Sequence, residues 1–261
     1  MEIKSYKKDA EYSYTLGAFP TFELLDAMPE CVETVLVHST FTDREKLEKK
    51  CADIAGSKDI AAKRKALGLP VLIEIQENNK LIAKLSDKEN VYVIGVFRKF
   101  GQKLDPARPH VVLVNPSNMG NLGTIIRTAC GFGIYDMAII EPAADAFNPK
   151  TVRASMGSLF RIRHESFDNF EEYMDRFECT PDRQEDGRQI FTFMLNGEKP
   201  LTVSDCPKPR LYSLVFGNEA TGLPNEFLSY GTSIIIPQTE FVDSLNLTIA
   251  AGIGMYMFTH S

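Results

Sequence analysis

Three short polar loops hold the residues of this chain whose types and spacing suit chemistry. The first is Asn115-Pro116-Ser117-Asn118-Met119-Gly120-Asn121-Leu122-Gly123, and beyond it Leu122, Ile125, Ile126, Ala129 and Gly133 recur at helical spacing. At about 100° per residue, Arg127 falls roughly 140° from Leu122, off that apolar stripe. It is either an ordinary solvated helix arginine or a cation presented to a ligand from a helix that starts at a glycine-rich strand end. The second loop is Gly217-Asn218-Glu219-Ala220-Thr221-Gly222-Leu223-Pro224. Gly217 lets a backbone approach a ligand closely and Gly222 permits a turn with positive φ, while Glu219 brings a carboxylate that would equally favour a helix N-terminus. The third runs from Ile236-Pro237 through Glu240 and Asp243 to Ser244-Leu245-Asn246. Ser244 is suited to cap the apolar helix that follows, and Asn246 needs a hydrogen-bond partner if it is buried there.

What these loops are not is equally informative. The lone GxxG of the first is neither the GxGxxG of a dinucleotide site nor a phosphate loop, since no GK[ST] follows. Cys31, Cys51, Cys130, Cys179 and Cys206 are scattered without a CxxC pair, and the chain has only four histidines. A structural zinc site is not expected, nor any other metal, and the thiols read as reduced, packed side chains.

The elements that must position the loops alternate strand and helix. Strands are expected at 34–38, 71–75, 91–97, 111–114, 136–140, 190–195, 211–216 and 233–236. Helices are expected at 43–55 (capped by Thr42 or Asp43), 77–85, from the first loop to about Phe132, at 151–158 and at 245–258. The segment Phe100–Pro109, FGQKLDPARP, combines glycine, two prolines and charges and reads as a linker. It divides a small α/β domain, 1–105, from a larger α/β domain, 106–261. Continuous apolar strands separated by helices imply a mainly parallel sheet covered on both faces. Ligands bind such sheets beyond the carboxyl ends of the strands, which is where the three loops lie, after Val114, Phe216 and Ile236.

Length and composition bound the alternatives. With 261 residues, 44% apolar and 25% charged, the chain is an ordinary globular sequence of one large or two average domains. No apolar run reaches the ~20 residues that span a bilayer, and the N-terminus lacks the apolar stretch of a secretory leader, so a cytoplasmic protein is expected. The net charge of −6 argues against a generally basic nucleic-acid binder but not against a local basic face. Candidate patches are Lys46-Lys49-Lys50, Lys58-Lys63-Arg64-Lys65, Arg98-Lys99-Lys103 and Arg153-Arg161-Arg163, each of which ordinary solvated lysines and arginines would also explain.

Taken in order at successive strand ends, the loops resemble the SPOUT superfamily, specifically the SpoU/TrmH-type RNA 2′-O-ribose methyltransferases. Asn118, Gly120, Arg127, Ala129, Phe132 and Gly133 fall in the places of that family's first motif. Gly217, Glu219, Gly222 and Leu223 match the second, and Ile236, Pro237, Ser244, Leu245, Asn246 and Ala250 the third. The resemblance covers residues 109 to 258, and Arg153-Ala154-Ser155-Met156-Gly157 looks like the family's helix near the active site. It implies a trefoil-knotted catalytic domain that binds S-adenosylmethionine, with Gly217, Ile236 and Leu245 lining the cofactor. It implies that Arg127 assists removal of the ribose hydroxyl proton, with Asn118, Glu219, Ser244 and Asn246 orienting substrate and shaping the pocket. Because a guanidinium stays protonated, Arg127 either works with an RNA phosphate that relays the proton or stabilises the developing alkoxide. A homodimer through the C-terminal domain is implied, with Arg127 acting on RNA bound partly by the partner. The first 105 residues resemble, at the level of pattern, the small α/β RNA-binding domain often placed ahead of this catalytic domain, which points to ribosomal RNA, or otherwise transfer RNA, as substrate. One departure stands out: the family usually has glycine where this chain has Glu240. Methylation of a base nitrogen, an RNA-binding protein of this fold without turnover, and a generic nucleotide-binding α/β protein are the competing readings.

Overall fold

The computed structural model of the chain describes residues 3–86, 88, 90–179, 187–207 and 209–260. Two compact units form: one reaches to Phe100 and includes Asp145–Arg161, and the other comprises Gly101–Ala144 and Ile162–Ser261.

The first unit runs β1 (Tyr12–Tyr14), α1 (Ala18–Ala27), β2 (Val32–Val37), α2 (Arg44–Gly56), α3 (Lys58–Ala66), β3 (Glu74–Glu77), α4 (Asn79–Leu85) and β4 (Val93–Arg98). Its sheet has the order β1-β4-β2-β3, with β2 and β3 parallel and the other pairs antiparallel. The β-branched runs of β2 and β4 are buried in the middle, and one face packs Leu36, Ile94 and Val96 against Ile82 and Leu85 of α4. The expected strand 71–75 begins instead at Glu74. Its pairing with β2 starts at Thr34↔Glu74, so the apolar residues before it lie outside the ladder and Leu72 is exposed. Lys58–Lys65, read from sequence as a basic surface patch, is helix α3, capped by Ser57. Its Arg64 is fully buried and donates to the carbonyl oxygens of Pro70 at 2.7 Å, Pro29 at 2.8 Å and Val32 at 2.7 Å. Of the other basic groups expected at the surface, Lys50 pairs with Asp26, Arg98 with Glu33 and Arg161 with Glu23.

The second unit runs β5 (His110–Val114), α5 (Met119–Gly131) and β6 (Asp136–Ile140). After the stretch that belongs to the first unit, which holds α6 (Pro149–Ala154), come β7 (Arg163–Phe167), α7 (Phe170–Arg176), β8 (Gln189–Phe193), β9 (Lys199–Pro200), β10 (Tyr212–Phe216), β11 (Thr232–Ile235) and α8 (Leu247–His260). All seven strands pair in parallel, in the order β7-β6-β5-β10-β8-β11-β9. β5, β6 and β10 are buried at every position, as strands covered on both faces must be. The order is not that of the sequence: β10 lies between β5 and β8, both of which precede it in the chain. The order in which successive strands are laid down thus reverses between β5 and β10, the kind of switch point at which parallel sheets open a crevice.

At the opposite ends of these strands sits a buried polar cluster. Arg188 donates to the carbonyl oxygens of Tyr212, Pro106 and Arg108, while the Tyr173 hydroxyl lies 2.8 Å from His110 Nδ1 and 2.6 Å from Ser213 Oγ. Burial, with the Arg188 charge beside it, pushes the His110 imidazole down to about 4.

Candidate active site

The site is assembled by register. β5 and β10 pair with Leu113 opposite Phe216, so the first and second loops leave the sheet side by side. β8 follows with Thr192 opposite Val215, and β11 with Ile234 opposite Phe193. Four adjacent strands therefore end at nearly one level. Above β10, β8 and β11 opens a cavity of about 460 Å3. The rings of Phe193 and Phe216, stacked with centroids 4.4 Å apart, reach it from two of these strand ends. Gly254 of α8 packs on this ring pair so closely that a Cβ there would stand 2.7 Å from Phe193 Cζ, and a larger residue would push the helix away.

Gly217, Ile236 and Leu245, the residues the resemblance implies as cofactor contacts, all line this cavity. At Gly217 a Cβ would lie 2.3 Å from the carbonyl carbon of Gly222, so only glycine lets the second loop fold back on itself here. Gly222 has φ +67°, the turn conformation expected of it. The lining also includes residues that the sequence did not single out. Met194, Leu195 and Asn196 follow β8 and form part of the wall because β8 lies between β10 and β11 in the sheet. The only local hint was an Asn-Gly pair, Asn196-Gly197, after a strand.

Glu219 also borders the cavity, but its carboxylate is committed to the first loop. It accepts from Ser117 N at 2.9 Å, Ser117 Oγ at 2.8 Å, Asn118 N at 3.1 Å and Asn121 Nδ2 at 3.2 Å. Partial burial raises its pKa, but the hydrogen bonds from Ser117 and Asn118 outweigh that and hold the carboxyl below its usual range. Glu219 is thus an ionised strut between two loops. Beside it, Asn218 Nδ2 donates to the Asn115 carbonyl at 2.8 Å and Oδ1 accepts from Ala220 N, tying the same loops a second time. Asn118 caps α5, its Oδ1 accepting from Gly120 N at 2.8 Å and Asn121 N at 3.0 Å.

Arg127 is exposed on α5, while Leu122, Ile125, Ile126 and Ala129 are buried, as the helical phase predicts. Gly133 departs from that stripe: it lies exposed past the helix end with φ +78°, ending the helix rather than packing beneath it. Arg127 does not line the cavity, and its side chain makes no hydrogen bond or ion pair among the described residues. Ser244 lines the cavity but does not cap α8 as expected. The cap is Asn246, whose backbone carbonyl accepts from Ile249 N and Ala250 N and whose Oδ1 accepts from Thr248 N at 2.9 Å. The helix accordingly begins at Leu247, two positions later than the pattern suggests, and Asn246 is exposed rather than buried. Glu240 is exposed and outside the lining.

The model of the SpoU rRNA methylase family matches residues 108–256, a stretch that contains all three loops and the cavity. The chain is 30% identical over 156 residues to the 23S rRNA (guanosine(2553)-2′-O)-methyltransferase of Bacillus subtilis, covering 59% of each protein. It is 31% identical over 147 residues to the 23S rRNA (uridine(2479)-2′-O)-methyltransferase of Streptomyces viridochromogenes, covering 56% of this chain and 50% of that one. It therefore spans between half and three-fifths of the length of these curated relatives. Among solved structures, the AdoMet-bound rRNA methyltransferase of Sinorhizobium meliloti superposes with a TM-score of 0.71 over 95% of this chain and 86% of that chain, at 27% identity. The SpoU methyltransferase AviRb of Streptomyces viridochromogenes, in complex with AdoMet, shares the fold with a TM-score of 0.74 over 95% of this chain and 89% of that chain, at 24% identity.

Proposed function

This chain belongs to the SpoU rRNA methylase family, and from that premise we propose that it transfers a methyl group from S-adenosylmethionine to a ribose 2′-hydroxyl of ribosomal or transfer RNA. The observation that carries the proposal is the cavity, in which the second and third loops meet beyond the strand ends while the first loop is tied to the second through Glu219 and Asn218. Its volume lies in the range of small-molecule sites. Among the described residues its lining includes no lysine, arginine or histidine, so a sulfonium cation would meet no like charge there. The carboxylate of Glu219, which lines the cavity, is turned to the first loop. The close backbone contact of Gly217 with Gly222 supports a cradle made of main chain and apolar walls from Ile236, Leu245 and Leu247.

When bound, S-adenosylmethionine supplies an electrophilic methyl group. The chain's own residues then have three tasks. Gly217, Ile236 and Leu245 hold the cofactor. Asn118, Glu219 and Asn246 fix the loops that orient the substrate, through the caps and the strut described above, and Ser244 shapes the pocket from its wall. Arg127 donates hydrogen bonds to the developing alkoxide while the hydroxyl proton passes to an RNA phosphate or to water, since a guanidinium is a donor and not a proton acceptor.

The position of Arg127 outside the cavity lining supports a homodimer in which this arginine serves RNA bound partly by the partner. Exposed Ile249 and Tyr256 on α8 give such a pairing an apolar surface through the C-terminal domain. The insertion of β10 between β5 and β8 supports the trefoil knot that the resemblance implies. Residues 1–105 are proposed as the RNA-binding substrate domain and 106–261 as the methyltransferase domain, working in the cytoplasm. The test is incubation of the full chain with methyl-labelled S-adenosylmethionine and ribosomal RNA from cells that lack it, followed by digestion and mass spectrometry. A methylated ribose is expected. A methylated base, or no transfer to ribosomal or transfer RNA, would overturn the proposal.

A further inference from the structure

The segment between β11 and α8 contributes Gln238 and Ser244 to the cavity, yet its middle turns outward. Phe241 is 90% exposed and Val242 48% exposed, and Phe241 makes no ring contact among the described residues. Across the second unit a further apolar side chain stands out in the same way. Leu195, after β8, lines the cavity while 60% exposed, so it belongs to the mouth rather than the floor. A large apolar ring left in water on a segment whose two ends line a ligand cavity marks a contact surface.

The charges nearby narrow what can cover it. Glu240 and Asp243 flank Phe241 and Val242, and among the described residues no basic side chain lines the cavity. A phosphate would be repelled here. A neutral planar base would not, and aromatic rings are the usual platform for bases splayed out of single-stranded RNA. We infer that Phe241 is the stacking surface for the base of the nucleotide that receives the methyl group, with the RNA phosphates held elsewhere. The inference rests on the reading of the cavity as the site of an RNA methyltransferase. It deepens that reading by naming how the acceptor nucleotide is gripped: by its base, at an acidic rim, rather than by its backbone.

Because Phe241 is almost fully exposed, its replacement leaves the fold intact, and the full chain can be compared directly as Phe241→Ala and Phe241→Trp. With ribosomal RNA from cells that lack the protein, Phe241→Ala is expected to raise the KM for RNA by roughly five- to a hundredfold, the scale of one lost base–aromatic stack. S-adenosylmethionine affinity by calorimetry stays unchanged, and Phe241→Trp restores the KM. Short single-stranded RNAs carrying 2-aminopurine give a readout independent of turnover: binding to the wild-type chain quenches the fluorophore, and binding to Phe241→Ala does not. An unchanged KM or unchanged quenching in Phe241→Ala would overturn the inference. So would a loss of cofactor affinity, which would place the ring against the cofactor, or a loss of dimer, which would place it between two copies. Wild-type quenching without any methyl transfer would instead sink the methyltransferase reading and leave the stacking surface standing.

Discussion

Replacing Glu219 with glutamine separates a structural carboxylate from a chemical one. Both Glu219 oxygens accept hydrogen bonds from the first loop, four donors in all: Ser117 N, Ser117 Oγ, Asn118 N and Asn121 Nδ2. In Glu219→Gln the remaining carbonyl oxygen keeps the Ser117 pair, and the new amide nitrogen faces Asn118 N and Asn121 Nδ2, donor against donor. Two charge-assisted bonds are lost. At the half-buried edge of the sheet, where water replaces part of each, the cost is about 2 kcal/mol. For a unit of this size that is a fall in Tm of roughly 4–8 °C. The carboxyl is held below its ordinary value of 4.5 in the folded chain, so its contribution is fully present above that pH. It disappears as pH falls through the folded value, and the melting curves of wild type and variant therefore converge in acid. Loosening the first loop also blurs the cavity edge, so S-adenosylmethionine binds more weakly while turnover at saturating cofactor survives. Scanning calorimetry across pH, cofactor titration and kcat together make the test. A variant with wild-type Tm and cofactor affinity but no turnover would refute the reasoning and give the carboxylate a part in proton transfer.

Arg127→Ala is expected to bind S-adenosylmethionine normally and lose methyl transfer by about two orders of magnitude or more, as measured with labelled cofactor. In Gly217→Ala the added Cβ meets Gly222 at 2.3 Å, so the second loop must move, and calorimetry should find cofactor affinity weakened by about tenfold or more. Arg64→Met leaves the carbonyl oxygens of Pro29, Val32 and Pro70 without their buried donor and should destabilise the first unit by about 3 kcal/mol in denaturant unfolding, with little effect on cofactor binding. Burial lowers the pKa of His110 from 6.5 to about 4, so between those values the unfolded chain binds the extra proton and stability falls as the pH is lowered. A His110→Asn variant should show a flatter pH dependence over that window in thermal melts.

Much of this protein is written locally in its sequence. Side chains alternate or recur with the period of the element they occupy, so β5, α5, β6 and β10 are legible from their own residues, as is the outward phase of Arg127 on α5. The glycines that close the second loop and the polar ends of all three loops are also local signals, and the three motifs identify the family. What local pattern does not carry is adjacency. Nothing in residues 189–193 or 212–216 states that β10 slides between β5 and β8, because the order of parallel strands is set by crossovers that must cover both faces of the sheet at once. That order alone makes Met194, Leu195 and Asn196 part of the cavity wall. Burial of a charge is non-local in the same way: Arg64 sits in a run of lysines and reads as surface, but three carbonyl oxygens from two other segments claim it. Glu219 reads as a helix-start acid or a catalytic group, and the choice between strut and base was made by the register that brings Ser117 and Asn118 within 3.1 Å of it. The sequence determined which residues lie at the strand ends and what chemistry they can do, and tertiary structure decided which of them meet, because contact between distant segments depends on how the whole sheet is closed.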